Sequence, residues 1–155
     1  MSELETQIVE TWKIHNRVNL YLLDAIEPAS LGLSLNQKGR TVGQLFAHLH
    51  SVRLMWLKPA APELLNGLEK LSDDAAKADL ANSLKQSGEA IESLLRNALV
   101  SGGKVKSFKR GVVPFLGYLI SHESHHRGQI GWILKHTGHP LDKSVAFGMW
   151  DWNAR

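Results

Sequence analysis

The stretch that decides the fold is residues 113–138, VPFLGYLISHESHHRGQIGWILKHTG. Its apolar residues recur every three or four positions, the spacing that places side chains along one face of an α-helix. Pro114 suits the first turn of a helix, where its missing amide hydrogen costs nothing. Gly138 is typical of the position just past a helix end, and Pro140 follows it. The stretch therefore predicts one long helix.

Two histidines lie in the middle of the apolar face of this helix. His122 and His126 are one turn apart and fall, with Ile133, within roughly 40° of one another around the helix axis. Side chains four positions apart have Cβ atoms about 5–6 Å apart, so two imidazoles at this spacing can bind one ion. A buried imidazole needs partners for both ring nitrogens, and a metal ion supplies one for each ring. We therefore predict that His122 and His126 bind a metal.

A second helix, predicted over residues 41–57, provides a third histidine. Thr41 and Gln44 fit a capping box at its start, in which the two side chains bond each other's backbone amides. His48 lies on the apolar face of this helix, whereas His50 points away from that face. The geometry therefore selects His48 over His50 as the third ligand.

The remaining histidines are given other roles. His15 and Asn19 lie on an inward face of the first helix and are expected to line the pocket or support the ligands, with His15 as an alternative fourth ligand. His125 lies at the edge of the histidine face, and His136 and His139 are expected at a helix end and in a turn. The alternative for the whole set is that these are core histidines bonded to backbone or side-chain acceptors.

Three histidines leave at least one coordination position open, because closed structural zinc sites normally have four protein ligands. An ion in an open site lowers the pKa of the water or substrate that it binds. Zinc, nickel and iron all accept imidazole, so ligand type does not choose among them. Gln129 and Tyr118 lie one turn to either side of the histidine pair. We predict that these two residues orient a substrate or donate a hydrogen bond to it.

His122, Glu123 and His126 also match H-E-x-x-H, the zinc metalloprotease pattern. The context does not favour a protease, because a metzincin would have glycine and histidine where Gln129 and Trp132 stand, and no glutamate follows Glu123 as a third ligand. Two roles for Glu123 stay open. It is either a general base beside the pair or, as we prefer, a solvated residue on the helix flank.

Two further long helices are predicted over residues 2–26 and 73–99. No stretch shows sustained two-residue alternation, so we expect an all-α fold, a four-helix bundle forming one domain over residues 1–155. The connection 58–72 could extend roughly 50 Å, and a helix of about 25 residues is roughly 38 Å long. The connection can therefore run the length of the bundle. This allows an up-down-down-up as well as an up-down-up-down arrangement.

Composition narrows the class of protein. The chain has 155 residues, a net charge of +3 and no cysteine, which excludes disulfides, thiolate ligands and a cysteine nucleophile. It has no apolar run near the roughly 18 residues of a membrane span and no signal-peptide pattern at its N-terminus. We therefore expect a cytoplasmic protein with no membrane partner. The basic residues between 104 and 110 are interpreted as a solvated loop, and no nucleic-acid-binding signature accompanies them.

Three segments resemble the DinB-like (DinB/YfiT-like metalloenzyme) superfamily. Residues 41–48, TVGQLFAH, are similar to the family's capped second helix with its single ligand. Residues 122–129, HESHHRGQ, resemble its H-x-x-x-H block followed by Arg-Gly-Gln, and residues 147–152, FGMWDW, look like its aromatic terminus. The likeness covers nearly the whole chain, and the middle block is its most specific part.

The resemblance implies a four-helix bundle of up-down-down-up topology with a long crossover, usually a homodimer. It implies one zinc or nickel ion on three histidines, which map to His48, His122 and His126. Activities in the superfamily include S-transferases and isomerases that use small thiols, and metal-dependent hydrolases.

Three hypotheses for function follow. The first is a metal-dependent enzyme that activates a thiol or water, either a thiol S-transferase or a hydrolase, acting on a small molecule with or without a thiol cofactor. The second is a non-catalytic module that binds a metal and a small ligand. The third is a structural bundle whose histidines are hydrogen-bonded core groups.

Overall fold

The computed structural model describes all 155 residues and consists of helices joined by turns and loops. Four helices are long: α1 (Glu3–Asp24), α2 (Val42–Ala60), α3 (Lys77–Val100) and α4 (Val112–His136). A short helix, α5 (Lys143–Gly148), lies in the C-terminal segment. No strand forms, so the all-α prediction is confirmed.

Capping boxes begin the first two helices. Ser2 and Glu5 form one at the start of α1. At the start of α2, Thr41 Oγ1 accepts from the Gln44 amide at 3.1 Å, and Gln44 Oε1 accepts from the Thr41 amide at 3.0 Å. The predicted box is thus present, and it sets where α2 begins, two turns before His48.

The end of α2 differs from the prediction. The helix continues to Ala60 although Pro59 lies within its last turn. Proline removes its own amide donor but not those of the residues that follow it. The Ala61 amide donates to the Leu57 carbonyl at 2.8 Å and so closes the last turn.

The start of α3 also differs from the prediction. The helix begins at Lys77 rather than at Asp73. The Ala75 amide donates to the Ser72 carbonyl at 3.2 Å, which indicates a turn ahead of the helix. The two aspartates of this segment therefore belong to the turn, and the helix has no side-chain cap.

The ends of α4 are close to those predicted. Gly138 has φ +82°, the left-handed conformation expected of a glycine after a helix. The next amide, that of His139, donates to the Leu134 carbonyl at 2.8 Å. The helix therefore stops cleanly after His136, and the chain turns toward α5.

Helix α3 packs against α1 and α2, and α4 packs against the same two helices. Two apolar clusters fill the interior. Large members of the first are Trp12, Leu57, Ile91, Leu95, Phe115 and Leu119, and large members of the second are Leu22, Phe46, Leu49, Leu84, Ile130 and Ile133.

A layer of buried polar side chains separates the two clusters. It contains His15, Asn19, Arg53, Ser87 and Glu123, all at most 1% exposed. Each stands in its helix between residues of one cluster and residues of the other. Buried polar groups must be hydrogen-bonded to be stable, so this layer constrains how the four helices meet.

Candidate metal centre

Three histidines from two helices meet beside the polar layer. His48 comes from α2, and His122 and His126 come from α4. One ring nitrogen of each lies within 4.8 Å of the others. The ring of His48 is 5.3 Å from that of His122 and 4.6 Å from that of His126, centroid to centroid. The structure therefore brings together the three histidines that the helical pattern selected.

The spacing within this group fits a single ion. Nε2 of His122 and Nε2 of His126 are 3.1 Å apart. Two nitrogens bound to one zinc ion at about 2.0–2.1 Å in a tetrahedral arrangement lie about 3.3 Å apart. The pair thus needs only a small adjustment to share an ion.

The protonation of the three rings also fits a metal site. A histidine binds a metal through a neutral imidazole. Burial lowers the pKa of His48 to about 4, and the positive charge of Arg40 adds to this effect. Burial likewise lowers the pKa of His122 and of His126. At neutral pH the three rings are therefore uncharged and carry lone pairs for a cation.

Gln129 sets the tautomer of one ligand. Nδ1 of His126 lies 2.7 Å from Oε1 of Gln129, one turn further along α4. An amide oxygen only accepts, so Nδ1 carries the hydrogen and Nε2 keeps its lone pair toward His122. Metal-binding histidines almost always have a partner of this kind on the second nitrogen. Nδ1 of His122, by contrast, is buried without a protein partner.

Tyr118 borders the centre on the other side. Its ring is parallel to that of His122 within 13°, with centroids 6.2 Å apart. It also packs edge-to-face with Trp56 and at a tilt against Phe108, so its plane is restrained by aromatic neighbours. The side chain is 38% exposed. The tyrosine is therefore held in place while part of it stays open to a ligand.

Glu123 follows His122 in sequence but does not lie on a solvated flank, so that expectation is wrong. It is 1% exposed. Arg53 donates to its two carboxylate oxygens at 2.7 and 2.8 Å, and His15 and Asn19 donate to one of them at 2.8 and 2.6 Å. The cause is that α4 packs against α1 as well as α2, so its buried arc is wider than the histidine stripe. With both oxygens occupied, the carboxylate is not available as a general base.

Electrostatics explain why this buried carboxylate is ionised. Burial alone would raise the pKa of Glu123, but the charge and hydrogen bonds of Arg53 hold it below its ordinary value. His15 is neutral, because burial lowers its pKa. Arg127 lies 3.3 Å from Nδ1 of His15 and can only donate, so the hydrogen of His15 is on Nε2, facing Glu123. Both nitrogens of His15 are thus occupied, which excludes it as a fourth ligand.

The same network ties all four long helices together. Arg53 of α2 also donates to the Leu84 carbonyl of α3 at 2.8 Å. Arg127 of α4 donates to Asn19 Oδ1 of α1 at 2.7 Å. The sequence interpretation missed both arginines. The available signal was the position of Arg53, four residues after Leu49 and four before Leu57, on a stripe that is otherwise apolar.

The other histidines lie outside the centre. His50 is buried, and its Nε2 lies 2.8 Å from the Glu69 carbonyl oxygen, so it points away from the triad as predicted. His125 is exposed, with its ring 5.1 Å from that of His126. His136 and His139 are exposed at the end of α4 and in the turn that follows.

Fold and site together define a helical protein with a three-histidine centre shared by two helices. A sequence model of the DinB family matches residues 1–143. The chain belongs to the DinB family. No curated protein and no solved structure matches the chain significantly. None of its helices combines the length and apolar character needed to cross a membrane.

Proposed function

We propose that this chain is a metal-dependent enzyme that binds one divalent ion, zinc or nickel, on His48, His122 and His126 and acts on a small molecule. The observation that carries the proposal is the convergence of three neutral imidazole nitrogens within 4.8 Å. The bond from His126 to Gln129 supports it, because it directs the free lone pair into this group. Three protein ligands leave a position for a substrate or cofactor.

A divalent ion in this position would supply Lewis acidity, which lowers the pKa of a thiol or water at the open coordination position. The surrounding residues favour a thiol. Glu123 is the one acidic residue of α4, and both its oxygens are occupied. A thiol starts from a pKa of about 8.5 and water from about 15.7, so a thiol needs far less help from a base. The chain has no cysteine, so the thiol would be a diffusible cofactor or substrate.

The proposed roles of the neighbouring residues follow from their contacts. Gln129 positions His126 through Nδ1. Tyr118 has its ring parallel to that of His122 and is partly exposed, which supports a role in donating a hydrogen bond to a substrate. We assign thiol S-transfer as the leading reaction class and hydrolysis as the alternative within the same site.

Elemental analysis of untagged protein tests the metal site. We expect about one equivalent of zinc or nickel in the wild type after incubation with the metal, and its loss in His126→Ala. His139→Ala is the matched control, because it removes an exposed histidine outside the cluster. A wild type that takes up neither metal would contradict the proposal.

Activity assays separate the reaction classes. The loaded protein would be mixed with small thiols and an electrophilic acceptor, and separately with activated esters. Turnover that requires both metal and thiol supports S-transfer, and thiol-independent ester cleavage supports hydrolysis. Tight binding of small ligands without turnover would support a binding module, the second candidate, which the absence of an available carboxylate base favours.

We further propose an up-down-down-up four-helix bundle. Along α1 and α4, residues of the cluster containing Trp12 and Phe115 precede those of the other cluster, and along α2 and α3 the order is reversed. This order supports parallel α2 and α3 joined by the long connection.

We also propose that the chain forms a homodimer in the cytoplasm, where small thiols are kept reduced. Phe147 and Trp150 are 74% and 81% exposed in the C-terminal segment, an apolar surface that a second subunit would cover. Light scattering at twice the mass of the chain would support the dimer, and the mass of a single chain would contradict it.

A further inference from the structure

A cleft adjoins the three histidines on the side of Gln129. It has a volume of about 580 Å³ and lies between α4, the start of α2 and the loop before α2. Its lining residues include Arg40, Leu45, His125, Gln129, Trp132 and Ile133. Gln129 bonds His126, and the His125 ring lies 5.1 Å from that of His126, so the cleft borders the candidate centre directly.

The charge of this cleft has one sign. Arg40 is its one permanently charged lining residue, and no aspartate or glutamate lines it. Arg40 takes part in none of the ion pairs of the chain. It lies close enough to the centre for its charge to act on His48, His122 and His126. The guanidinium is thus a permanent cation without an anionic partner beside the site.

The walls of the cleft are apolar. Leu35 is 49% exposed and Trp132 is 56% exposed, and both line this cleft. Ile133 and Leu45 are buried and contribute to the same lining. The His136 ring packs against Trp132 at a tilt of 36° with centroids 3.9 Å apart, which restrains the indole. Large apolar side chains left open in a concave surface are typical of ligand sites.

We propose that this cleft is the substrate subsite and that it takes a small molecule with an apolar, flat body and an anionic group, which Arg40 binds. An anion gains a charge-assisted, two-pronged contact from a guanidinium. The apolar body packs against Trp132 and Leu35. Gln129 is shared between the cleft and the centre, so a molecule seated here is delivered next to His126. This assignment rests on the proposed function, because the bound molecule is a substrate only if the chain is an enzyme.

Two probes that differ in charge alone test this assignment. Naphthalene-2-sulfonate carries an aromatic body and an anion that is a poor metal ligand, and methyl 2-naphthyl sulfone is its neutral counterpart. Each would be titrated into zinc-incubated protein and followed by amide shifts of Gly39 and Gly128 and the indole shift of Trp132. We expect the sulfonate to bind about fivefold more tightly than the sulfone, the scale of a partly exposed ion pair.

Variants assign the preference to one residue. Arg40→Gln is expected to remove the fivefold advantage of the sulfonate and to leave the sulfone unchanged. Lys38→Gln is the matched control, because it removes the same charge two residues away at a position that does not line the cleft. Trp132→Ala should weaken both probes by about threefold or more, since it removes the aromatic wall.

Equal affinity for the two probes, an unchanged preference in Arg40→Gln, or no binding of either probe would overturn the proposal. Zinc content measured on the same samples keeps this result separate from the metal site. If the protein takes up zinc but its binding of the sulfonate does not depend on Arg40, the subsite proposal alone is contradicted. Arg40-dependent binding by a protein that takes up no metal sinks the proposed function and leaves an anion-binding cleft.

Discussion

Oε1 of Gln129 accepts a hydrogen bond from Nδ1 of His126 at 2.7 Å, so a cleft residue controls the tautomer of a candidate ligand. We predict that Gln129→Leu, which keeps the size of the side chain but removes the acceptor, weakens zinc binding by about 10–100-fold. Competition with a chromophoric chelator at neutral pH measures the dissociation constant. Gln86→Leu, on an exposed face of α3, is the control and should leave it unchanged. Equal affinities for the two variants would show that this bond does not support the site.

Glu123→Gln should act on stability rather than on metal content. The substitution leaves the charge of Arg53 buried and uncompensated, which typically costs about 3–5 kcal/mol of unfolding free energy. Urea denaturation measures that loss. Glu92→Gln is a matched control, because its partner Arg96 is 42% exposed and such pairs contribute about 0–1 kcal/mol. A variant of full stability without activity would instead return Glu123 to the role of a base.

Metal-free protein should lose stability as the pH falls below about 6.5, the ordinary histidine pKa in an unfolded chain. Burial lowers the pKa of His15, so the unfolded chain takes up a proton that the folded chain does not. Glu123 faces His15 and favours its charged form, but Arg127 and Arg53 oppose it. The contribution of His15 is therefore complete above pH 6.5 and is lost toward lower pH, by up to about 1.4 kcal/mol per pH unit.

Urea unfolding between pH 7 and pH 5.5 in the presence of EDTA measures this slope. His15→Gln can still donate to Glu123 but does not titrate, so its slope should be shallower than that of the wild type. Burial also lowers the pKa of His48, His122 and His126, and these three residues remain in the variant. Some loss of stability toward lower pH is therefore expected in the variant too. Identical slopes for His15→Gln and the wild type would show that His15 is not held neutral.

Zinc should raise the unfolding temperature of the wild type. A ligand that binds only the folded state adds about 2.7 kcal/mol at a hundred times its dissociation constant, or about 5–11 °C for a domain of this size. His48→Ala should lose this shift in calorimetry. His50→Ala is the sharp control: it lies two residues away on α2 and bonds the Glu69 carbonyl instead, so it should lower the starting temperature but keep the shift. If His50→Ala loses the zinc-induced rise in unfolding temperature and His48→Ala keeps it, His50 rather than His48 is the third ligand.

Periodicity was sufficient to select the histidine triad. His122 and His126 share a face because they are four residues apart, and His48 lies on the apolar stripe of a helix whose start is set by a capping box. These are local features, since each depends on spacing within one helix. The all-α class follows from the same spacing.

Glu123 shows where periodicity stops being informative. Whether a helix flank is solvated depends on how many helices surround it, and α4 packs against both α1 and α2. Arg53, the residue that neutralises Glu123, is 70 positions earlier in the chain. The position of Arg40 beside α4 could not be predicted either, because the loop before α2 meets α4 only in the folded protein. No window within one helix contains these pairs.

The polar layer has a consequence for the proposed metal ion. The hydrogen bonds of Glu123 and Arg127 to neighbouring helices fix the rotation of α4, so the directions of His122 and His126 are set by helix packing. We therefore expect metal binding to order little that is not already ordered, and the chain to fold without the metal. In such a preorganised site, one ion could dissociate and another could bind while the protein stays folded. The identity of the bound metal would then depend on which ions are available around the protein.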